Sequence, residues 1–146
     1  MKTLVVYDSV YGNTEKIARA IGGAITGEGK VIRAGEVDPA ELKTIDILIV
    51  GSPTYGGRPT PAMQGFLDRI SESALKGKSV AAFDTRYSTK LVKIFGFAAD
   101  KISDNLMMKG GTVISSPQGF FVEGKRGPLK EGQIARAAGW AKEIVK

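Results

Sequence analysis

The turn at residues 8–14 has the composition of an anion-binding site. It reads Asp-Ser-Val-Tyr-Gly-Asn-Thr and joins an apolar run, Leu4 to Tyr7, to an amphipathic helical pattern. A turn that leads from a strand into a helix directs backbone N–H groups at whatever lies above the strand end, which favours a negatively charged ligand. Ser9 and Thr14 add hydroxyl donors, and the glycine between them lets the chain approach a phosphate closely.

The same turn excludes two common nucleotide sites. It contains no lysine or arginine, whereas a Walker loop ends in Gly-Lys-Ser/Thr, and it lacks the Gly-x-Gly-x-x-Gly spacing of dinucleotide sites. Backbone amides and hydroxyls without a cation suit one terminal phosphomonoester. The simpler alternative is a turn rich in serine and asparagine that only caps the helix.

A second unusual loop follows the third apolar run of the chain. Residues 52–60 contain too much glycine and proline for a helix, and Thr60 and Pro61 are suited to begin the next one. Tyr55 lies at the tip of this loop between small residues, where its ring can stack on an aromatic ligand. The alternative is that Tyr55 folds back over the edge of the sheet.

A parallel sheet must hold these loops, because β-branched apolar runs alternate with helical patterns along the whole chain. We predict strands near residues 3–8, 30–34, 46–51, 78–84 and 111–115. Four helical stripes should form the core: Ile17, Ile21 and Ile25; Met63, Phe66, Leu67 and Ile70; Leu91, Phe95, Ala98 and Ile102; and Ala137, Ala141, Ile144 and Val145. Residues 38–44 allow only one or two helical turns. Parallel strands place their carboxyl ends together, so the loops after strands one, three and four should share one edge.

Residues 117–130 form a long connector for so small a domain, and such loops tend to be functional. Phe120 and Phe121 either cover a ligand or a partner surface, or anchor the loop to the core, and the second interpretation is favoured. Trp140 lies beside the last helical stripe and is expected to pack in the core.

The composition excludes several kinds of chemistry. The chain fits one domain, 1–146, and contains neither cysteine nor histidine, which removes disulfides, thiolate catalysis and the usual zinc and haem ligands. No metal ligand and no catalytic side chain is expected, so redox chemistry would need an organic cofactor. The first residues lead directly into a strand and no apolar run reaches membrane-spanning length, so a cytoplasmic protein without a membrane span is expected.

The chain is basic, with a net charge of +6 and a pI of about 9.6. Such a charge favours association with acidic partners and carries no information about the fold. The lysines and arginines are scattered and accompany no recognised nucleic-acid motif, so nucleic acid is not an expected partner.

Residues 9–14, Ser-Val-Tyr-Gly-Asn-Thr, resemble the phosphate loop of the flavodoxin family, Ser/Thr-x-Thr-Gly-x-Thr, with Tyr11 in place of the middle threonine. The resemblance implies that the phosphate belongs to flavin mononucleotide (FMN). It also implies a flavodoxin-like α/β fold: a doubly wound, five-stranded parallel sheet of order 2-1-3-4-5 with helices on both faces. Flavodoxin is a standard example of that order, and its FMN lies at the switch point between strands one and three.

The second loop resembles the family in the segment Thr54-Tyr55-Gly56-Gly57, which is similar to the family's Thr-Trp-Gly-Asp. In the family, the carbonyl of the residue that matches Gly56 accepts a hydrogen bond from flavin N5–H after one-electron reduction. The resemblance therefore implies that this loop stabilises a neutral semiquinone. Gly57 stands where the family has an aspartate, so repulsion of the anionic hydroquinone should be weaker.

The third loop resembles the family's Asp-Ser-x-Tyr through Asp84, Thr85 and Tyr87, which makes Tyr87 a second stacking ring. Arg86 departs from that pattern. It is either a solvated loop cation or, together with Arg58, a neighbour of the flavin ring. The cofactor-binding residues implied by the three loops are Ser9, Val10, Tyr11, Gly12, Asn13, Thr14, Pro53, Thr54, Tyr55, Gly56, Gly57, Asp84, Thr85, Arg86 and Tyr87.

The resemblance implies a monomeric one-electron carrier that exchanges low-potential electrons with redox proteins, here through acidic docking surfaces on the partner. The main alternative is an FMN-dependent enzyme, either an NAD(P)H:quinone oxidoreductase, which Ser52-Pro53-Thr54 also resembles, or a flavodoxin-like protoporphyrinogen oxidase. The N-terminal motif is also similar to the flavodoxin module of flavo-diiron proteins, whose metal module this chain does not contain. A phosphoacceptor receiver domain would need an aspartate where Ser52 ends the third strand.

Overall fold

The computed structural model describes residues 1–87 and 96–145. Its strands are β1 (Lys2–Tyr7), β2 (Glu28–Arg33), β3 (Ile47–Pro53), β4 (Ser79–Tyr87), β5 (Thr112–Val113) and β6 (Gln118–Val122). Its α-helices are α1 (Asn13–Ala24), α2 (Pro61–Arg69), α3 (Ala98–Met108) and α4 (Gln133–Ile144). Two 3₁₀ segments, Ala34–Glu36 and Pro39–Lys43, follow β2. No helix in these ranges is long and apolar enough to cross a membrane.

The strands form one parallel sheet of order β2-β1-β3-β4-β5, which confirms the predicted doubly wound order. β6 also pairs with β4 in parallel, beside the second half of that strand. β1 and β3 are apolar and buried along nearly their whole length, as expected for parallel strands covered on both faces. The carboxyl ends of β1, β3 and β4 therefore meet at one edge of the sheet.

The prediction of a single strand near residues 111–115 is wrong. Two short strands, β5 and β6, share this edge of the sheet. β5 pairs with the beginning of β4 at Ser79 and Val80, and β6 pairs with its end from Phe83 to Tyr87. Pro117 stands between them and has no N–H to donate to a ladder, so a continuous strand is interrupted there. Part of the predicted 117–130 connector is thus a strand of the sheet.

Helices cover both faces of the sheet, as predicted. α2 and α3 pack on one face, where Met63, Phe66 and Ile102 are buried, and α1 and α4 pack on the other, around Ile17 and Ala137. The expected stripes are confirmed at the buried positions Ile17, Ile21, Met63, Phe66, Leu67, Ile70, Ala98, Ile102, Ala137, Ala141 and Val145, while Ile25 and Ile144 are partly buried against the core. Leu91 and Phe95, also expected in a stripe, lie outside the described residues.

Three aromatic rings join the sheet edge to the last helix. Phe83, Phe120 and Trp140 lie with ring centroids 6.0 to 6.2 Å apart and with tilted or edge-to-face planes, a favourable arrangement for aromatic pairs. Trp140 also donates a hydrogen bond from Nε1 to Ser115 Oγ at 3.0 Å. Phe120 and Trp140 are therefore core residues, as expected, and Phe120 anchors β6.

Candidate functional site

A cavity of about 490 Å³ opens where the carboxyl ends of β1, β3 and β4 meet. This volume falls within the roughly 300–1,000 Å³ of small-molecule sites. The lining residues come from the ends of β3, β4 and β6 and from the segments that follow β1, β3 and β6: Val10, Tyr11, Asn13, Thr14, Pro53, Thr54, Tyr55, Gly56, Thr85, Tyr87, Val122 and Lys125. The three segments singled out in the sequence thus line one cavity, although the third of them is the end of β4 and not a loop.

The turn before α1 is organised by Ser9. Its Oγ accepts hydrogen bonds from the backbone N–H groups of Gly12 at 3.1 Å and Glu15 at 3.3 Å. A helix leaves four N–H groups at its beginning without a helical carbonyl to bind, and Ser9 satisfies two of them. The other two, on Asn13 and Thr14, belong to residues that line the cavity. They form the start of an anion site at the end of a 12-residue helix.

Two buried hydroxyls connect the beginning of α1 to the end of β4. Thr14 Oγ1 and Thr85 Oγ1 lie 2.7 Å apart, within hydrogen-bond distance, and both residues line the cavity. One proton serves this hydrogen bond, so the second hydroxyl proton of the pair is available to a ligand atom. The pair therefore both ties two walls of the cavity together and supplies a donor to it.

The loop after β3 makes a tight reverse turn at residues 55–58. Tyr55 and Arg58 exchange backbone hydrogen bonds at 2.7 and 3.1 Å, and the two glycines between them have φ values of +59° and +79°. Positive φ at both central positions matches a type I′ turn, which glycine forms without strain. The turn presents the Tyr55 ring at the cavity with 59% of the residue exposed, and Tyr87 is 45% exposed on another wall.

The Thr60 prediction is confirmed at the start of α2. Thr60 is the N-cap residue, its Oγ1 accepts a hydrogen bond from Met63 N at 3.2 Å, and Pro61 begins the helix. Thr60 Oγ1 also donates to Asp8 Oδ2 at 2.5 Å, and Arg33 Nη1 lies 3.2 Å from the other oxygen of that carboxylate. Asp8 thus fixes the end of β1 relative to its neighbouring elements.

Asp84 and Arg86 lie apart from the cavity lining, which corrects the expectation for Arg86. Successive residues of a strand face opposite sides, so Thr85 and Tyr87 line the cavity while Asp84 and Arg86 face away. Arg86 donates from Nε and Nη2 to the two Asp84 oxygens at 2.7 and 2.8 Å. Its side chain is only 14% exposed and its guanidinium lies 3.5 Å from the ring centroid of Phe97, so it is neither a solvated cation nor a cavity wall.

The Asp84 carboxylate is part of a network that connects three segments behind the cavity. Besides Arg86, it accepts a hydrogen bond from the backbone N–H of Ala99 in α3 at 3.0 Å. The N–H of the preceding residue, Ala98, donates to Thr54 Oγ1 at 3.1 Å and so joins the loop after β3 to the same helix end. Burial raises the pKa of Asp84, because desolvation disfavours the charged carboxylate, and the hydrogen bond and charge of Arg86 oppose that rise. This network holds the loop carrying Tyr55 against the strand carrying Tyr87.

Five of the residues implied by the resemblance are not among those that line the cavity: Ser9, Gly12, Gly57, Asp84 and Arg86. Conversely, Val122 and Lys125 line the cavity and were not anticipated from the sequence. The unusual length of the 117–130 segment was the available signal, since long loops in small domains are often functional.

A doubly wound α/β domain with a ligand cavity at its switch point is the class of protein that these features define. A family model described as flavodoxin matches residues 5–140, and the chain belongs to the flavodoxin family. It is 32% identical over 124 residues to a flavodoxin of Clostridium saccharobutylicum, an alignment that covers 82% of this chain and 76% of that relative.

Two further comparisons extend this result. A solved structure of a flavodoxin from the domain Archaea superimposes with a TM-score of 0.84 at 26% identity, covering 99% of this chain and 96% of that one. An NAD(P)H dehydrogenase (quinone) of Methylocella silvestris is 29% identical over 161 residues, covering 90% of this chain and 78% of that relative. Family membership identifies FMN as the cofactor and electron transfer as the function.

Proposed function

We propose that FMN binds in the cavity with its phosphate at the beginning of α1 and its ring system between Tyr55, on the loop after β3, and Tyr87, at the end of β4. The proposal rests on one observation: a single cavity of suitable volume contains both a helix N-terminus and two half-exposed tyrosine rings. An anionic group and a large aromatic system are the two parts of FMN that these features match.

The donor set supports the phosphate end of the proposal. Asn13 and Thr14 offer backbone N–H groups at the positive end of the helix dipole, and the Thr14–Thr85 pair offers a hydroxyl proton. Ser9 contributes by holding the turn in the conformation that presents these groups. Bound FMN supplies the one-electron redox chemistry, and the protein binds it, orients it and limits its contact with water.

The ring end is supported by the apolar character of the surrounding walls. Tyr55 approaches from the loop after β3 and Tyr87 from the end of β4, and Val122 adds an aliphatic side chain to the lining. The Gly56–Gly57 turn lies beside Tyr55, and its backbone can reorient cheaply because it carries no Cβ atoms. We assign to the Gly56 carbonyl the role that the family resemblance implies, that of an acceptor for flavin N5–H.

We propose that the redox partners present acidic surfaces. The net charge is +6, and Arg58 and Arg126 are exposed near the residues that line the cavity. A positive rim accelerates encounter with a negatively charged partner and orients it toward the cofactor. We also propose that the chain is cytoplasmic and works as a monomer. The monomeric state is supported by the exposed edge strand β2, which carries charged residues such as Lys30 that oppose edge-to-edge pairing.

The experiment that tests the proposal is a fluorescence titration of apoprotein with FMN and with riboflavin. We expect FMN to bind with quenching of flavin emission and riboflavin to bind much more weakly, because riboflavin lacks the phosphate. Equal affinity for the two flavins would contradict the placement of the phosphate at the beginning of α1.

A second candidate function is an FMN-dependent NAD(P)H:quinone oxidoreductase, which the relative from Methylocella silvestris favours. An enzyme of that kind accepts two electrons from the nicotinamide directly. Anaerobic mixing of the FMN-loaded protein with NADH and with NADPH separates the two functions. We expect the oxidised flavin absorbance to persist; rapid bleaching, with quinone restoring the colour, would favour the enzyme.

A further inference from the structure

The end of β6 and the segment after it form a short antiparallel hairpin, residues 121–130, beside the cavity. The backbone N–H of Glu123 donates to Pro128 O at 2.8 Å, and that of Lys130 donates to Phe121 O at 2.9 Å. Val122 and Leu129 form an antiparallel bridge between these bonds. The base of the hairpin follows directly from the buried ring of Phe120, so it is fixed to the core.

The tip of this hairpin is attached to the turn that precedes α1. Asn13 Nδ2 donates to the carbonyl oxygen of Arg126 at 3.1 Å, and the Arg126 guanidinium lies 5.7 Å from the ring centroid of Tyr11. Both Asn13 and Tyr11 line the cavity. The hairpin tip is therefore held at the end of the cavity where the helix begins, not at a distance in solvent.

Lys125 is placed at the cavity by this attachment. Among the described residues that line the cavity, Lys125 is the single charged side chain. The ion pairs found within residues 1–87 and 96–145 do not include it. A lysine that lines a cavity beside a helix N-terminus is suited to an anionic ligand group, which its ammonium group can bind.

We propose that the 121–130 hairpin is a fourth wall of the FMN site and that Lys125 binds the FMN phosphate. This inference rests on the proposed placement of FMN. The turn before α1 offers N–H and hydroxyl donors but no side-chain cation, so it leaves the phosphate charge uncompensated except by the helix dipole. Lys125 supplies the missing countercharge from a different part of the chain, and recognition of the phosphate becomes partly ionic.

The proposal has a specific consequence for ligand selectivity. Removal of the ammonium group should weaken FMN binding and leave riboflavin binding unchanged, because only FMN carries the phosphate. The preference for FMN over riboflavin should also decline as salt concentration rises, since screening weakens an exposed ionic contact. Neutral donors alone would give a preference that is much less sensitive to salt.

The test compares apoprotein variants Lys125→Gln and Lys130→Gln. Lys130 lies on the same hairpin, but its ammonium is near the Phe121 ring at 5.9 Å and it does not line the cavity, so it controls for a general loss of positive charge. FMN and riboflavin affinities are measured by fluorescence quenching at low and high salt. We expect Lys125→Gln to weaken FMN binding by about tenfold at low salt, with riboflavin unchanged, and Lys130→Gln to have a much smaller effect.

Three results would contradict the proposed role of Lys125. Unchanged FMN affinity in Lys125→Gln, an equal loss for FMN and riboflavin, or an equal loss in Lys130→Gln would each overturn the role of Lys125. Lys125→Arg should retain FMN affinity, and the circular dichroism spectrum identifies a variant that has failed to fold. Failure of the underlying FMN placement differs from all of these, because the unmodified protein itself would then bind FMN and riboflavin equally.

Discussion

The Ser9 hydroxyl accepts hydrogen bonds from two amides of its own turn, at 3.1 and 3.3 Å. The Thr14 hydroxyl instead bonds to the hydroxyl of Thr85 on the cavity wall, at 2.7 Å. The two residues appear in one sequence motif and were both expected to donate to a phosphate. The structure separates their roles, since Ser9 shapes the turn and Thr14 faces the cavity.

Replacement of Ser9 by alanine should therefore lower both the stability of the apoprotein and its affinity for FMN. Two hydrogen bonds are lost, each worth about 0.5–1.5 kcal/mol. Thr14→Ala should lower FMN affinity while leaving Ser9 and its turn in place. Urea denaturation of the apoprotein and FMN titration measure the two effects. Ser9→Ala with full stability and weakened FMN binding would show that Ser9 acts on the ligand directly.

Tyr55 and Tyr87 should contribute to cofactor affinity with little effect on folding, because both are about half exposed. We expect Tyr55→Ala and Tyr87→Ala each to weaken FMN binding by at least the 0.5–1.5 kcal/mol typical of an aromatic pair, with partial recovery of flavin fluorescence. Tyr55→Phe and Tyr87→Phe are the matched controls and should retain quenching. If an alanine variant kept its FMN affinity and its fluorescence quenching, the replaced tyrosine would not stack on the flavin.

Strand β4 carries two functions on its two faces. Thr85 and Tyr87 line the cavity, while Asp84 and Arg86 form a buried ion pair beneath α3. Gly119 of β6 makes room for this pair, because a Cβ atom there would lie 2.1 Å from Arg86 Nε. The pair is thus enclosed by β4, β6 and α3 and supports the cavity walls from behind.

Arg86→Gln should leave Asp84 as a buried carboxylate without its countercharge, at a cost of about 3–5 kcal/mol in the free energy of unfolding near neutral pH. Burial already raises the pKa of Asp84, and loss of the arginine should raise it further. The Asp84 carboxyl then binds its proton more tightly in the folded protein than in the unfolded chain. Protonation of Asp84 therefore favours folding in acid, and this stabilisation is lost as pH rises through the pKa of Asp84 in the folded protein.

The difference in unfolding free energy between Arg86→Gln and the unmodified protein should therefore be smaller in mild acid than above neutrality. Urea denaturation across pH measures it. Arg19→Gln is a suitable control, since Arg19 pairs with Glu15 at the exposed surface and its loss should matter much less. A destabilisation by Arg86→Gln that stays the same at every pH would contradict the role assigned to Asp84.

The sequence was sufficient for the order of elements and for three of the cavity walls. Alternating apolar runs and helical stripes placed β1, β3 and β4, and the loops after them carried recognisable motifs. The division between β5 and β6 was missed because an apolar run near residues 111–115 masked the interruption that Pro117 imposes. Alternation along β4 would have placed Arg86 on the face opposite Tyr87, a signal that was present but not applied.

The fourth wall depends on contacts between residues that are far apart in the sequence. Asn13 binds the carbonyl of Arg126, 113 positions later, and this contact brings Lys125 to the cavity. No local pattern in residues 121–130 encodes that contact. Only the complete sheet, with β6 beside β4, determines where the hairpin lies.

At the scale of the whole molecule, the net charge of +6 should govern electron exchange with charged partners. Reduced protein should transfer electrons to an anionic acceptor such as ferricyanide at a rate that falls as salt rises, and to a cationic cobalt(III) complex at a rate that increases. Stopped-flow absorbance measures both. The double variant Arg58→Gln, Arg126→Gln should flatten the two salt dependences. Identical salt dependence for the two acceptors would show that the basic surface does not steer encounter.

An anaerobic, stepwise reduction of the FMN-loaded protein, followed by visible absorption, tests most directly whether the chain holds FMN as a one-electron carrier. We expect one-electron-reduced flavin to accumulate strongly at half reduction and to disappear as reduction is completed. Direct conversion of oxidised to fully reduced flavin, with a single isosbestic point and no such species, would contradict it.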